Sequence, residues 1–201
     1  MNGEPIQLRL FVALLVPDTV KQKLHAVQQE LRDALDSRTA NWTRPEQFHL
    51  TIKFLGNVDA TRLDTLAESL KKACYGLVPS DIEARDAGFF PDSKRPRVIW
   101  IGVRAPEEWL FRLHSTVETV CAPFATAKPE NRFHAHVTLG RVKQAGKSDA
   151  DAMRSWAEKW AGCGFGKWRA EEVALVRSRL SPSGAAYSNE CLARLGPGGT
   201  P

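Results

Sequence analysis

Residues 48–55 read FHLTIKFL, and a related stretch, HVTLGR, occupies residues 136–141. Both place His-x-Thr within an apolar run typical of a β-strand. Because side chains alternate between the two faces of a strand, the histidine and threonine of each tripeptide share one face. The apolar residues share the other face. Each stretch therefore predicts a strand with one face in the core and a polar face on a cleft.

The two strands lie at matching places in a repeated pattern. Strand, helix, strand, helix and strand are predicted from Leu8 to Gly88 and again from Arg97 to Leu180. From Leu8 to His49 is 41 residues, and from Arg97 to His136 is 39. Such agreement indicates a duplication, with helices packed on an outer sheet face in α/β or α+β layers. The order of the strands is not determined by the sequence.

Composition places the chain among ordinary globular proteins. Its 201 residues are 43% hydrophobic and 25% charged, with a net charge of +5, which excludes fibrous and low-complexity classes. We expect one domain over residues 1–201, with approximate lobes at 8–90 and 97–195 and a flexible tail at 196–201. Nothing in the sequence requires more than a monomer.

The cysteines and the apolar segments bear on location. The four cysteines lie at least 28 residues apart, so a cysteine zinc site or a C-x-x-C redox motif is not expected. Sparse cysteines fit a reducing compartment. The apolar run 8–16 is too short to span a bilayer and lacks the flanks of a signal peptide. We expect a cytoplasmic protein with no membrane association.

The paired motifs define a chemistry. A pseudo-two-fold arrangement would bring the imidazoles of His49 and His136 and the hydroxyls of Thr51 and Thr138 around one cleft. Imidazole titrates near neutrality, so one histidine can act as a base while the other, protonated, acts as an acid. Two hydroxyls can donate to the non-bridging oxygens of a phosphate. This set suits in-line attack on a cyclic phosphodiester, and the residues alone leave open which histidine is the acid.

At these residues the chain resembles the two-histidine phosphoesterases, and among them the RNA 2′,3′-cyclic phosphodiesterases, also called 2′-5′ RNA ligases. The resemblance covers roughly residues 8–192. It includes the segments R-L-F-V-A at 9–13, W-x-x-P-E-x-x-H-L-T-I-K-F-L-G at 42–56, F-P at 90–91, Trp100, H-V-T-L-G-R at 136–141, S-x-L at 178–180 and G-x-x-Y at 184–187. Motifs in this order are far more specific than one tripeptide.

The resemblance implies a bilobal α+β fold with pseudo-two-fold symmetry, antiparallel-rich sheets lining a central cleft, and helices outside. It also implies that His49 donates a proton to the leaving 3′ oxygen and that His136 accepts one from water. Thr51 and Thr138 would hold the phosphate, with Arg141 adding positive charge. The substrate would be an RNA end or small oligonucleotide with a 2′,3′-cyclic phosphate, and the product a 2′-phosphomonoester. No cofactor or metal is implied, and 2′-5′ ligation is a possible second activity.

Two details qualify the resemblance. The family has proline before the second histidine, where this chain has Ala135; this loosens the approach to the strand but removes no catalytic group. Arg141 follows His136 by five residues, an odd offset that would face away from the cleft in a straight strand. We therefore expect the strand to end or bend near Gly140, where glycine permits it.

Two other functions compete with this one. His134 and His136 form an H-x-H pair that could ligate zinc, although no Asp or Glu at matching spacing completes such a site. A non-catalytic RNA- or nucleotide-binding module is the second alternative. It would use arginines and aromatic residues: Arg95, Arg97, Arg104, Arg132, Arg141, Arg177, Arg179, Trp42, Phe48, Phe89 and Phe90. His25 and His114 are expected to be ordinary surface or boundary residues of helices.

Overall fold

Helices and strands follow one another as predicted, in a computed structural model that describes residues 5–106, 108–128, 132–182 and 184–196. The α-helices are α1 (Asp18–Ala34), α2 (Leu63–Tyr75), α3 (Trp109–Cys121) and α4 (Lys147–Trp160). The strands are β1 (Gln7–Leu15), β2 (Ala40–Trp42), β3 (His49–Asp59), β4 (Ser80–Phe90), β5 (Val98–Arg104), β6 (His136–Val142), β7 (Gly164–Ala170), β8 (Glu172–Ser181) and β9 (Gly184–Arg194). Short 3₁₀ turns at Pro45–Gln47 and Ala60–Arg62 precede β3 and α2.

The helices bury the apolar stripes that predicted them. In α1, for example, Val20, Leu24, Val27 and Leu31 are buried, at the spacing of one helix face. Burying each such side chain stabilises the fold by about 1.5–3 kcal/mol. The helices therefore pack against the sheet through side chains that the sequence spaces three and four residues apart.

The strands form one antiparallel sheet in the order β7-β4-β5-β6-β3-β1-β8-β9, with β2 paired to β6. The two His-x-Thr strands, β3 and β6, are neighbours at its centre. They are joined there by the single pair Leu50↔Val137. The duplicated α+β fold with antiparallel strands is thus confirmed.

The halves of the sequence interleave in the sheet. β4, the last strand of the first repeat, pairs with β5 of the second repeat, and β8 of the second repeat pairs with β1 of the first. α1 and α4 contact β7 and β4, while α2 and α3 contact β8, β9 and β3. A pseudo-two-fold axis between β3 and β6 relates the two sides. The lobe limits of 8–90 and 97–195 stay a prediction, because strand pairing does not define folding units.

The two faces of the sheet have different roles. Alternate residues of β1, such as Leu10 and Val12, belong to the main core beneath the helices. Phe11 and Ala13, on the opposite face, form a small separate cluster with residues of β8. Since the helices cover one face, the opposite face is the one that can line a cleft.

Three features differ from the sequence prediction. β2 and β7 were not predicted, because β2 has only three residues, and in β7 an extra residue at Phe165 interrupts the alternation. β3 continues past Gly56, where it was expected to end, to Asp59. Gly56 has φ +78°, and a Cβ there would lie 2.5 Å from the hydroxyl oxygen of Thr126. Glycine is therefore needed at this position for the close approach of Thr126, and it does not end the strand.

Most of the expected tail lies outside the described residues, which end at residue 196. Of the helices that the structure describes, none is both long and apolar enough to cross a membrane.

Candidate active site

The two His-x-Thr motifs are the first residues of the central strands β3 and β6, and in both strands the histidine and threonine lie on the face away from the core. In β3, Leu50 is buried while His49 and Thr51 on either side of it are only partly buried. In β6 the residues 136–139 repeat this alternation. The predicted division between a polar face and a core face is therefore confirmed in both strands.

Each catalytic-type histidine is held by the backbone two residues before it. His49 Nδ1 lies 2.6 Å from the carbonyl oxygen of Gln47, and His136 Nδ1 lies 2.6 Å from that of His134. A carbonyl oxygen can only accept, so Nδ1 donates in both rings. Proton exchange is thereby left to Nε2. The equal arrangement of the two rings follows from the pseudo-two-fold relation of their strands.

The surroundings of His49 favour its neutral form. The Phe11 ring lies 4.8 Å from the imidazole between centroids, and Tyr187 approaches edge-on at 5.5 Å. Burial lowers the pKa of His49 below its ordinary value of 6.5, the hydrogen bond to Gln47 opposes this, and the positive charge of His136 lowers the pKa further. The two histidines are therefore close enough to resist simultaneous protonation.

Four of the five predicted site residues line one cavity of about 380 Å³: His49, Thr51, Thr138 and Arg141. His136 lies against a neighbouring cavity of about 200 Å³, together with Phe90, Trp100 and His134. Phe90 packs edge-on against His136 with ring centroids 5.0 Å apart. The five residues thus surround the junction of β3 and β6, but the larger cavity is on the His49 side.

Arg141 reaches the cavity through a bulge. Trp100 of β5 pairs with Thr138 while Ile99 pairs with Gly140, so Leu139 is an extra residue in β6. Leu139 and Gly140 are consecutively buried, and Arg141 is exposed on the cleft side. A bulge inserts one residue and so reverses the alternation that follows. The predicted bend near Gly140 is confirmed, although the strand continues to Val142.

The same bulge occurs in β3 and brings into the cavity a residue outside the predicted site. Ala13 of β1 pairs with Thr51 and Val12 pairs with Lys53, so Ile52 is extra. Phe54 consequently takes the place that Arg141 has in β6, and it lines the large cavity. Counting five residues from each histidine would have found it.

Further cavity residues come from strands at the other end of the sheet. Arg9 lies on β1, Ser178 and Leu180 on β8, and Tyr187 on β9. These residues belong to the family motifs at 9–13, 178–180 and 184–187, for which no catalytic or binding role was predicted. Their convergence depends on the pairing of β1 with β8, which the sequence did not predict.

The competing interpretations fare differently. His134 contributes its carbonyl to His136, and its ring packs against Phe90 at 5.6 Å. Within the described ranges, no three His, Cys, Asp or Glu side chains are grouped as metal ligands. His114, expected to be a surface or boundary residue, is buried instead: it stacks on Phe133 at 4.3 Å and faces Glu118.

The residues proposed for a simple RNA binder do not line one common cavity. Phe48 and Phe89 are buried in the core and are not available for stacking. Arg104 pairs with Asp86 at 2.6 Å. Of the arginines named for this alternative, only Arg141 lines the large cavity.

This duplicated sheet, with one His-x-Thr strand from each repeat at its centre, is the architecture of the two-histidine phosphoesterases. Residues 14–100 and 101–187 each match the family described as LigT like Phosphoesterase. The chain belongs to that family, and the two matched segments correspond to its two repeats.

Relatives across archaea and bacteria resemble nearly the whole chain. The RNA 2′,3′-cyclic phosphodiesterase of Methanothermobacter thermautotrophicus is 30% identical over 191 residues, covering 94% of this chain and 100% of its own. That of Archaeoglobus fulgidus is 31% identical over 182 residues, covering 90% and 97%.

Two solved structures have the same fold. The crystal structure of TT0787 from Thermus thermophilus matches with a TM-score of 0.75 at 26% identity, covering 94% of this chain and 100% of that one. E. coli LigT complexed with 3′-AMP matches with a TM-score of 0.72 at 22% identity, covering 94% and 99%.

Proposed function

We propose that this protein is an RNA 2′,3′-cyclic phosphodiesterase that opens the terminal cyclic phosphate to a 2′-phosphomonoester. The observation that carries the proposal is the pair of histidines, both fixed through Nδ1 to a backbone carbonyl, beside a cavity lined by Thr51, Thr138 and Arg141. The relatives named RNA 2′,3′-cyclic phosphodiesterase support the same activity.

The reaction is an in-line displacement at phosphorus. His136 Nε2 takes a proton from water, the water oxygen bonds to phosphorus, and the bond from phosphorus to O3′ breaks. His49 Nε2 gives its proton to O3′, so the phosphate remains on O2′. Thr51 and Thr138 donate hydrogen bonds to the non-bridging oxygens, and Arg141 balances their charge. General acid–base catalysis typically contributes about 10²–10⁴-fold.

The unequal cavities support the assignment of acid and base. The leaving O3′ carries the nucleoside, which needs more space than a water molecule. The larger cavity, about 380 Å³, is on the His49 side, and the smaller one, about 200 Å³, is on the His136 side. A nucleoside in the larger cavity has its O3′ towards His49, as the general acid requires.

The lowered pKa of His49 is compatible with an acid role once substrate is bound. In the free protein, burial and the charge of His136 favour neutral His49. A phosphate anion bound between the rings favours the imidazolium form and opposes the repulsion between the two histidines. Substrate binding therefore favours the protonated form of His49 that a general acid needs.

The same displacement allows a second nucleophile. An RNA 5′-hydroxyl in place of water would form a 2′-5′ phosphodiester by the same bond changes. The cavity beside His136 favours this activity, because the rings of Phe90 and Trp100 offer an apolar surface on the nucleophile's side. Ligation is thus the second candidate function.

The setting of the enzyme is part of the proposal. We place it in the cytoplasm as a monomer. The free state of all four cysteines, Cys74, Cys121, Cys163 and Cys191, is compatible with a reducing compartment. Burial raises the pKa of the Cys74 and Cys121 thiols to about 12, which makes them unreactive.

The test is turnover of a dinucleotide that ends in a 2′,3′-cyclic phosphate, with and without a chelator. We expect hydrolysis in both conditions and a 2′-phosphate product by phosphorus NMR. Tight binding without turnover would support the RNA-binding alternative instead. Activity lost to the chelator and restored by zinc would support the metal-site alternative.

A further inference from the structure

Arg9 belongs to the catalytic cavity but has no part in the displacement. Its neighbours Leu8 and Leu10 are buried in the main core, so Arg9 projects from the opposite face of β1, as Phe11 does. There it lines the same cavity as His49 and Thr51. An arginine on the wall of an active-site cavity is stabilised by a counter-charge, from the protein or from a ligand.

The described residues of the cavity supply no such counter-charge. Among the described residues that line it, none is Asp or Glu. In the part of the chain that the structure describes, no carboxylate lies within 4.0 Å of the guanidinium of Arg9 or of Arg141. Two cations without acidic partners on one cavity wall indicate a ligand with two anionic groups.

The two cations are separated along the sheet. Arg9 pairs with Asn57 of β3, whereas Thr51, at the phosphate position, pairs with Ala13. Four residues along β1 correspond to about 13 Å at the usual rise of a strand. These backbone positions are far enough apart for a nucleoside to lie between Thr51 and Arg9.

The wall between these positions carries Phe54, which pairs with Phe11 of β1, and other apolar side chains line the same cavity. Phe54, Leu180 and Tyr187 line the cavity and are 41%, 67% and 40% exposed, although large apolar side chains usually avoid solvent. Aromatic and apolar surfaces of this kind bind nucleobases by stacking, with little preference among bases. Along the cavity, an anion site, an apolar wall and a second cation thus follow one another.

We propose that Arg9 binds the phosphodiester on the 5′ side of the terminal nucleotide. The cyclic phosphate lies at the threonine pair, the base of that nucleotide against Phe54 and its neighbours, and the next phosphate at Arg9. The inference rests on the proposed function and adds to it: the preferred substrate is the end of a chain, not a free cyclic nucleotide.

The test compares two substrates that differ by the 5′ phosphate alone. Cytidine 2′,3′-cyclic phosphate lacks the group that Arg9 would bind, and its 5′-phosphorylated form has it. Arg9→Ala should lower kcat/KM for the 5′-phosphorylated substrate by about 10- to 100-fold, the usual range for a charged hydrogen bond, and leave the other within about twofold. Arg9→Lys should retain part of the preference, because lysine keeps the charge but not the planar fork.

A matched control lies on β8. Ser178 and Leu180 line the cavity, but Arg179 between them does not. Arg179→Ala should behave as the wild type with both substrates. Equal losses with both substrates in Arg9→Ala would show an effect on the reacting phosphate or the fold, and equal retention would show no contact; either result overturns the subsite.

Binding separates this proposal from the catalytic one. Cytidine 2′,5′-bisphosphate and cytidine 2′-monophosphate can be titrated calorimetrically without any turnover. The bisphosphate should bind more tightly to the wild type, and Arg9→Ala should abolish the difference. An enzyme inactive on both cyclic substrates would disprove the proposed function, while this titration would still decide whether Arg9 binds the 5′ phosphate.

Discussion

The two central strands follow the same backbone course but differ in the residues after their bulges. β3 continues with Lys53 and Phe54, whereas β6 continues with Gly140 and Arg141. In each pair the first residue is buried and the second is exposed. The duplicated backbone therefore provides two equivalent positions, and the two copies use them for different purposes.

The buried positions determine what packs beside each strand. Lys53 reaches α3, where its ammonium pairs with Glu118 at 2.5 Å. At Gly140 a Cβ would lie 3.1 Å from the carbonyl oxygen of Asn41 and from the Trp42 ring. The absence of a side chain in β6 lets β2 pair there, while the lysine in β3 ties the strand to a helix.

The exposed positions determine what the cavity can bind. Arg141 brings a positive charge next to Thr138, and Phe54 brings an aromatic ring to the equivalent place beyond Thr51. Two equivalent strands, one carrying a cation and the other an aromatic ring, suit a ligand that has a phosphate at one end and a base at the other. Duplication supplies the paired acid–base groups, and divergence after the bulges supplies direction.

The largest effect is expected at the histidines, where the two halves are most alike. His49→Ala and His136→Ala should each lower turnover of a cyclic-phosphate dinucleotide by about 10²–10⁴-fold, because each removes one of two proton transfers. Steady-state kinetics would measure the loss, and circular dichroism would verify the fold. Near wild-type turnover in either folded variant would exclude that histidine from the chemistry.

His134→Ala is the matched control for this prediction. It keeps the backbone carbonyl that accepts from His136 Nδ1 and removes only the ring beside Phe90. Most of the activity should remain. A loss as large as that of His136→Ala would assign a role to the His134 ring.

The next largest effect concerns stability and tests the buried Lys53 position of β3. The Lys53 side chain is only 3% exposed and Glu118 22%, so removing the ammonium leaves a partly buried carboxylate that keeps only its longer contact with His114. Lys53→Ala should lower the free energy of unfolding by about 3 kcal/mol, measured by urea denaturation. Lys71→Ala, which breaks the exposed pair with Glu68, should change it by less than about 1 kcal/mol. Equal losses would mean that the buried pair contributes no more than a surface pair.

A smaller effect is expected at Arg141. Arg141→Ala should lower kcat/KM by about 10- to 100-fold, as expected for loss of a charged hydrogen bond to phosphate, and Arg141→Lys by less. The loss should be smaller than at either histidine, because Thr51 and Thr138 share the phosphate. Arg177→Ala, on β8 outside the cavity, is the control. If Arg141→Ala matched this control, Arg141 would not be a phosphate ligand.

The site was more predictable than the fold around it, and the reason is local. The His-x-Thr alternation depends only on strand geometry within three residues, so both motifs and their common face could be derived from the sequence. The cavity wall could not, because Tyr187 of β9 reaches His49 only through the pairing of β8 with β1. That pairing joins opposite ends of the chain, and no periodicity within one segment records it.

The buried polar contacts were also beyond the sequence. His114 and Glu118 are one turn apart on α3, and only the packing of α3 on β3 buries His114 and brings Lys53 to Glu118. The bend near Gly140 could be predicted because Arg141 lies an odd number of residues after His136 and yet has to face the same cleft. The matching bulge in β3 was not predicted. No chemical requirement pointed to Phe54.

The smallest expected effect separates the two causes that lower the pKa of His49. Burial is the larger cause and the charge of His136 the lesser, so His136→Gln should raise the pKa of His49 but leave it below 6.5. Proton NMR titration of the ring would measure this.

The lowered pKa of His49 also affects stability. Because the pKa in the folded protein lies below that in the unfolded chain, the unfolded chain binds more protons at pH values between the two. The free energy of unfolding should therefore increase as pH rises to 6.5. His49→Gln should lack this increase, and inorganic phosphate should raise the pKa in the wild type. A pKa of His49 unchanged by both the variant and phosphate would mean that the two rings do not share one anion site.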